Sequence, residues 1–266
     1  KAPWHISVLP GFFRGCGGKE IFMEALSAIN FLLAALFAAC YCYQAVFLGA
    51  RLLRKRRTFT ARKLCRYAVL IAARNESAVI AQLLESIRQQ DYPQDLLDIY
   101  VVADNCTDGT ASIAREHGAR VFERQNKMQV GKGYALAFLL EHIREDFPQE
   151  RYDGYFVFDA DNLLDPHYVT EMNKVFSNGN RAVTGYRNTK NFGDNWITAG
   201  YGIWFLRESE YLNRPRDYLG TSCAVSGTGF LFAQDLLDEL GGWEYFLLTE
   251  DLEFTADLVA RGIRIA

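Results

Sequence analysis

Tyr155-Phe156-Val157-Phe158-Asp159-Ala160-Asp161-Asn162 is the stretch on which the reading of this chain turns. Four apolar or aromatic residues in succession leave no polar face, so they predict a strand covered on both sides, with the two acids where it runs out. Carboxylates at a strand end face the crevice beyond the carboxyl edge of an open α/β sheet, where ligands bind. Two hard oxygen donors there suit Mg²⁺ or Mn²⁺ carrying a diphosphate. Asp is also common in turns and as a helix cap, and Pro166 follows, so an isolated Asp-Ala-Asp carries both meanings.

Upstream of that strand the chain repeats strand, loop, helix. Tyr67 to Ala72 reads as an apolar strand. Ser77 to Gln90 reads as a helix with Val79, Ile80, Leu83, Leu84 and Ile87 on one face, and Asp98 to Ala103 as a second strand. A helix over Thr110 to Glu116 closed by Gly118, a short strand around Val121 and a helix over Lys132 to Glu145 continue the series. Such alternation predicts an α/β domain, a mostly parallel sheet flanked by helices, over residues 66–266. Its strand ends deliver Ala73-Arg74-Asn75-Glu76 and Asp104-Asn105-Cys106-Thr107-Asp108-Gly109-Thr110. Glu76 and Asp104 have the chemistry to accept hydrogen bonds from ribose hydroxyls and a base imide. Thr107 to Thr110 also read as a turn and N-cap. Val130-Gly131-Lys132-Gly133 sets a cation between two glycines at a helix start, a place suited to a phosphate. It is not a Walker A loop, which needs Gly where Asn126 stands and Ser or Thr where Gly133 stands.

The 266 residues are half apolar and carry a net charge of −3, with no recurring basic stripe, so nucleic acid is not an expected partner. Six scattered cysteines without a CxxC pair indicate neither zinc nor a disulfide framework. Ala25 to Ala50 is free of formal charge. As a helix it would extend roughly 39 Å, against about 30 Å of bilayer hydrocarbon. Arg51, Arg54, Lys55, Arg56 and Arg57 crowd one flank, while Arg14, Lys19, Glu20 and Glu24 nearly balance on the other. The organisation expected is an N-terminal segment of unread role (1–20), one transmembrane helix (21–50), a basic juxtamembrane linker (51–65) and the α/β domain in the cytoplasm, at the cell (inner or plasma) membrane. A start at Lys1 and a stop at Ala266 within an apparent strand suggest a piece of a longer protein, with the domain incomplete at its C-terminal end.

Taken in order, Ala73-Arg74-Asn75-Glu76, Asp104-Asn105-Cys106-Thr107-Asp108-Gly109-Thr110, Gly131-Lys132-Gly133, Asp159-Ala160-Asp161, Ser226-Gly227-Thr228-Gly229 and Thr249-Glu250-Asp251 resemble the motifs of the inverting glycosyltransferase family 2. The resemblance is to its membrane-bound branch, which includes cellulose, chitin and poly-N-acetylglucosamine synthases. It implies the GT-A fold, a nucleotide-sugar donor, usually a UDP-sugar, and a divalent cation. By the same resemblance Ala73, Arg74, Glu76, Asp104 and Asp159 hold the donor nucleotide, Lys132 the diphosphate, and Asp161 with Asp159 the metal. Asp251 is the general base, with Glu250 beside it. The family's processive members carry a Gln-x-x-Arg-Trp motif downstream of the base, and this sequence has no match to it.

Chemistry supports these roles independently. An attacking hydroxyl must lose a proton as it bonds to C1, which requires a carboxylate within reach, and one carboxylate without a glycosyl-enzyme implies inversion. Glu250, Asp251 and Glu253 also make an acidic helix start favoured by the macrodipole. Ser226, Gly227, Thr228 and Gly229, and the aromatic and amide run from Val183 to Trp204, read as walls for donor sugar and acceptor. Phe192, Trp196, Tyr201 and Trp204 equally read as helix core. Trp243 stays undecided, and the four histidines fall on unrelated stretches without a catalytic role. The acceptor is expected to be a glycan or a lipid-linked group. The rival readings are a nucleotidyltransferase using the same crevice and an inactive membrane scaffold.

Overall fold

The computed structural model describes residues 16–55 and 57–266; residues 1–15, with Arg14 and His5, and Arg56 of the basic cluster lie outside the described residues. The chain divides into two units, Lys1–Gly49 and Ala50–Ala266. In the first, helix α1 (Cys16–Tyr41) leads into α2 (Tyr43–Leu53), which continues into the second unit. Phe22–Leu53 is 32 residues long with a most apolar 18-residue window of mean hydropathy 2.0, long and apolar enough to cross a membrane. Its apolar side chains, Phe31 and Leu32 among them, are exposed, unlike those of a core helix.

The second unit begins its sheet with β1 (Tyr67–Ala73), followed by α3 (Ile80–Arg88), β2 (Leu97–Asp104), α4 (Thr110–Glu116), β3 (Arg120–Arg124), α5 (Lys132–Asp146) and β4 (Gly154–Asp159). Then come α6 (Tyr168–Phe176), β5 (Ala182–Thr184), α7 (Trp196–Arg207), a π-helical turn (Glu208–Asn213) and α8 (Arg214–Leu219). The series ends with β6 (Phe230–Ala233), α9 (Gln234–Leu240) and α10 (Glu250–Ala260). The strands form one sheet in the order β3-β2-β1-β4-β6-β5. Strands β1 to β4 are mutually parallel, and β6 runs antiparallel between β4 and β5. The mostly parallel α/β sheet is as expected; the reversed strand was not foreseen.

Residues 154–158 of β4 are all buried, as the unbroken apolar run requires, and β1 is buried at every position but one. On α3, Ile80, Leu83, Leu84 and Ile87 face the core at helical spacing. The helix starts at Ile80 rather than Ser77, and two amides ahead of it are satisfied by side chains around the start of α4. Glu76 N–H donates to Thr110 Oγ1 at 2.8 Å and Ser77 N–H to Asp108 Oδ2 at 3.1 Å.

Two features of this architecture place the site. Because β6 is antiparallel to β4, with Val157 opposite Phe230, the residues entering β6 lie at the edge where β4 ends. Helix α10 is held to the sheet by an aromatic cluster: Trp243 stands 5.3 Å from Phe254 and 5.5 Å from Phe232, and Tyr245 is 5.3 Å from Phe254 between ring centroids. Trp243 is therefore a core residue, 5% exposed. Edge and stacked contacts of this kind contribute about 0.5–1.5 kcal/mol each beyond buried area.

Candidate active site

At the ends of β1 and β2 the backbone turns through two left-handed asparagines, Asn75 (φ 58°) and Asn105 (φ 53°), a conformation Asn tolerates better than other residues with a Cβ. Asn75 Oδ1 accepts from Thr107 N–H at 2.8 Å, joining the two strand-end loops. Asn105 clasps Asn126 in both directions, at 2.9 and 3.1 Å. Asp104 is buried and accepts on Oδ1 from Arg124 at 2.7 Å and from Asn105 at 3.0 Å. Asp108 collects Thr110 and Ser77, and these hydrogen bonds hold its carboxyl well below the usual carboxylate range. The turn-and-cap reading of Thr107 to Thr110 thus holds for Asp108 and Thr110. Ala73 ends β1 in the core, whereas Arg74 is exposed.

Lys132, first residue of α5, is the hub. Its Nζ lies 2.5 Å from Asp159 Oδ1, 2.6 Å from the Gly227 carbonyl and 3.6 Å from Glu250 Oε1. Gly133, which follows it, serves packing. A Cβ on Gly133 would stand 1.9 Å from the Tyr245 carbonyl oxygen, so its absence lets the segment leading into Thr249-Glu250-Asp251 pack on α5. Around the hub, Asp159 N–H donates to Thr228 Oγ1 at 2.9 Å, and Thr228 Oγ1 is 2.5 Å from Asn162 Oδ1. Gly227 N–H, at φ 71°, donates to Asp251 Oδ2 at 2.5 Å. Motifs about 120 residues apart in sequence therefore meet through one ammonium and one loop.

The carboxylates here form a field. Burial raises the Glu76 carboxyl above its ordinary value, and Asp161, Asp108 and Asp159 raise it further. Burial likewise raises Glu250; Lys132 opposes this, while Asp251 and Asp159 add to it. Asp161 is exposed, with Asn162 Nδ2 at 3.2 Å. Among the described residues no group of three or more His, Cys, Asp or Glu is placed to hold a metal. A divalent ion would thus rest on Asp161, next to Asp159, with its remaining oxygens from a bound diphosphate, which is how Mg²⁺ is commonly held. The uncompensated negative charge fits that group.

By register, Ala103 of β2 faces Ala73 of β1, and Ala72 faces Asp159 of β4, so Asp104 sits two strands, about 10 Å, from the Asp-Ala-Asp corner. Three residues of this neighbourhood were not singled out from sequence. Arg187 donates to Ser226 Oγ at 2.6 Å, lies 4.3 Å over the Phe205 ring, and keeps its buried Nε without a partner. It lines a small pocket with Thr184, Glu208, Asn213 and Ser226. Asn162 and Tyr168 steady the loop, the latter donating to the Gly229 carbonyl at 2.6 Å. Arg187 lies within the Val183 to Trp204 run read from sequence as a wall, without being picked out of it. The expected aromatic wall is not core: Phe192, Trp196, Tyr201 and Trp204 are 48, 83, 58 and 58% exposed. His117 and His142 bond carbonyls of their own helices, and His167 pairs with Asp91.

The family model described as Glycosyltransferase like family 2 matches residues 65–266. A beta-monoglucosyldiacylglycerol synthase of Nostoc sp. is 28% identical over 200 residues, covering 71% of this chain and 40% of that enzyme. A poly-beta-1,6-N-acetyl-D-glucosamine synthase of Staphylococcus epidermidis is 25% identical over 185 residues, covering 69% and 43%. This chain spans about two fifths of the length of these relatives. Among solved structures, the mannosyltransferase PcManGT from Pyrobaculum calidifontis, in complex with GDP-Man and Mn²⁺, superposes with a TM-score of 0.61. It does so at 23% identity, over 87% of this chain and 64% of that one, a likeness of GT-A fold.

Proposed function

Because this chain belongs to glycosyltransferase-like family 2, we propose that it moves a sugar from a nucleotide-diphospho-sugar, a UDP-sugar, to a lipid-linked or polysaccharide acceptor. The site of transfer is the cytoplasmic face of the cell membrane, and the anomeric carbon is inverted. The observation that carries this reading is the Lys132 hub, which joins Asp159 at the strand end to the Gly227 loop, whose amide in turn holds Asp251. Nucleotide groups and reacting sugar then have neighbouring places. The names of the relatives, one a glycolipid synthase and one a polysaccharide synthase, support both acceptor classes.

Glu76 and the free oxygen of Asp104 take the nucleoside, with Ala73 and Arg74 at the mouth of the same loop. Asp161, with Asp159 beside it, holds Mg²⁺ or Mn²⁺; a divalent ion, once bound, supplies Lewis-acid stabilisation of the departing diphosphate. PcManGT, of like fold, is in complex with GDP-Man and Mn²⁺, which is consistent with use of a divalent ion. Lys132 is positioned to exchange one of its protein partners for a diphosphate oxygen. Asp251 offers Oδ1, which makes no hydrogen bond among the described residues, as base for the acceptor hydroxyl, while the Gly227 amide fixes Oδ2. Glu250 is buried against Lys132 and acts as a positioning residue. The Ser226 to Gly229 loop walls the acceptor side.

The test uses membranes containing the full-length protein and a panel of labelled nucleotide sugars. Transfer with release of free nucleoside diphosphate is expected, and pyrophosphate release would overturn the reading in favour of nucleotidyl transfer. Asp251→Asn should retain donor binding and lose about 100-fold or more of transfer, since a positioned base contributes about 10²–10⁴-fold. Wild-type turnover would reject the base. Asp161→Ala should abolish Mn²⁺-dependent UDP binding, and unchanged calorimetric affinity would reject the metal assignment.

A further inference from the structure

Helix α7 presents the wrong face to water. At about 100° per residue, Trp196, Ile197, Tyr201, Ile203 and Trp204 fall on one continuous face, and all five are more than half exposed. The opposite face makes the protein contacts: Gly202 is buried under Phe192, and Phe205 lies beneath Arg187. A surface helix normally turns its apolar stripe inward. An apolar face of this extent, outward, marks an interaction surface.

What covers it is indicated by the residues that end the apolar helix. Arg51 reaches Glu210 at 2.8 Å, Arg54 donates to the Tyr218 carbonyl at 2.9 Å, and Arg57 lies 3.7 Å from Asp217. These partners belong to the π-helical turn and α8, which continue α7 without a break. Six helical residues separate Trp204 from Glu210, about 9 Å along the axis at 1.5 Å per residue. Where Phe22–Leu53 crosses a bilayer, its surface must lie within a turn or two of Arg51, and Arg51 is fixed to the rod that bears the exposed face. Trp and Tyr are the residues that favour the headgroup layer, and Arg207, 5.5 Å from the Trp204 ring, is a cation suited to the same depth.

We propose that α7 lies in the membrane interface, with Trp196, Tyr201 and Trp204 seated among the lipid headgroups. The inference rests on Phe22–Leu53 being a membrane span. It has a consequence for the acceptor: Phe205 on the reverse face supports Arg187, which bonds Ser226 beside Gly227 and Asp251. The acceptor loop is then two side chains from the lipid, and the acceptor enters along the bilayer plane.

The full chain reconstituted in phosphatidylcholine vesicles, with and without bromine on the acyl chains near the headgroup, tests this. Brominated lipid should quench the tryptophan emission, and Trp196→Phe/Trp204→Phe should lose more than half of that quenching. If aqueous iodide instead quenches wild type more than the double variant and bromolipid does not distinguish them, the helix faces water and the proposal fails. If neither quencher distinguishes them, protein covers the face and it fails equally. Alkaline extraction of the same vesicles checks the premise separately. Release of the chain would overturn the span, and the proposal with it; retention without bromolipid quenching would overturn the proposal alone.

Discussion

Lys132→Met removes the ammonium at the hub and keeps most of the stem. Nζ stands 3.6 Å from Glu250 Oε1, and the Glu250 side chain is 9% exposed. At an effective dielectric of about 20 the attraction has a ceiling of about 5 kcal/mol. Desolvation of the ammonium, which the variant is spared, offsets part of it. Glu250 escapes part of the rest by taking a proton, at about 1.4 kcal/mol for each pH unit between the assay and its point of uptake. A net loss of about 2–4 kcal/mol is expected near pH 8, or roughly 5–15 °C in thermal midpoint for a domain of this size. The half-exposed Asp159 adds little. Lys132 is the larger of two influences that lower the Glu250 carboxyl, the other being a backbone hydrogen bond, so without it the folded-state pKa moves further above the unfolded one. A carboxyl raised in this way stabilises fully below its unfolded pKa and loses that contribution as pH rises through the folded value. The deficit must therefore widen from pH 5 to pH 8. Urea titrations of the detergent-solubilised chain across that range measure it, and Glu250→Gln in the Lys132→Met background should recover most of the loss. A deficit that is flat with pH, or larger at pH 5, would refute the pairing.

Gly133→Ala sets a methyl 1.9 Å from the Tyr245 carbonyl oxygen and 3.2 Å from Phe246 Cα, both backbone atoms, so the segment before Thr249 must move. A loss of about 1–3 kcal/mol is expected, read as a lower thermal midpoint; an unchanged midpoint would show that the segment is free to shift. Arg124→Met leaves Asp104 buried without its cation, at a cost of about 3–5 kcal/mol in urea unfolding. Arg124→Met/Asp104→Asn should recover part of this, and an unaltered single variant would show that Asp104 is solvated.

Strands and helices with one strong period were legible. The Tyr155 to Phe158 run and the Ile80 to Ile87 stripe stand where hydrophobic spacing put them, because burial of those large side chains, at about 1.5–3 kcal/mol each, outweighs other local preferences. The bonds ahead of α3 were not legible, since Asp108 and Thr110 reach the Ser77 and Glu76 amides from 31 and 34 residues away. Nor was β6. A four-residue strand, Phe-Leu-Phe-Ala, carries no directional signal, and its antiparallel pairing follows from the Gly229 amide meeting the Val157 carbonyl at 2.9 Å. The aromatics of α7 satisfy the period of a core helix, and only the tertiary structure tells which side of that period faces the protein.

The candidate site was legible in its residue types but not in its electrostatics. Lys132 has the spacing of a phosphate ligand, yet the structure gives it three protein oxygens, two of them on acids that the sequence separates by 91 residues. That placement answers a requirement the motifs do not express. Burial raises the Glu76 and Glu250 carboxyls, and before any substrate arrives repulsion from Asp159 raises both further, with Asp251 adding to Glu250 and Asp161 to Glu76. A fixed ammonium in their midst lowers that repulsion at every pH where the acids ionise. A diphosphate entering the corner competes for the same ammonium, and whatever it draws from Glu250 and the Gly227 carbonyl is drawn from the loop that holds Asp251. On the proposed reading, donor arrival is thereby coupled to the position of Asp251 as base through a single side chain.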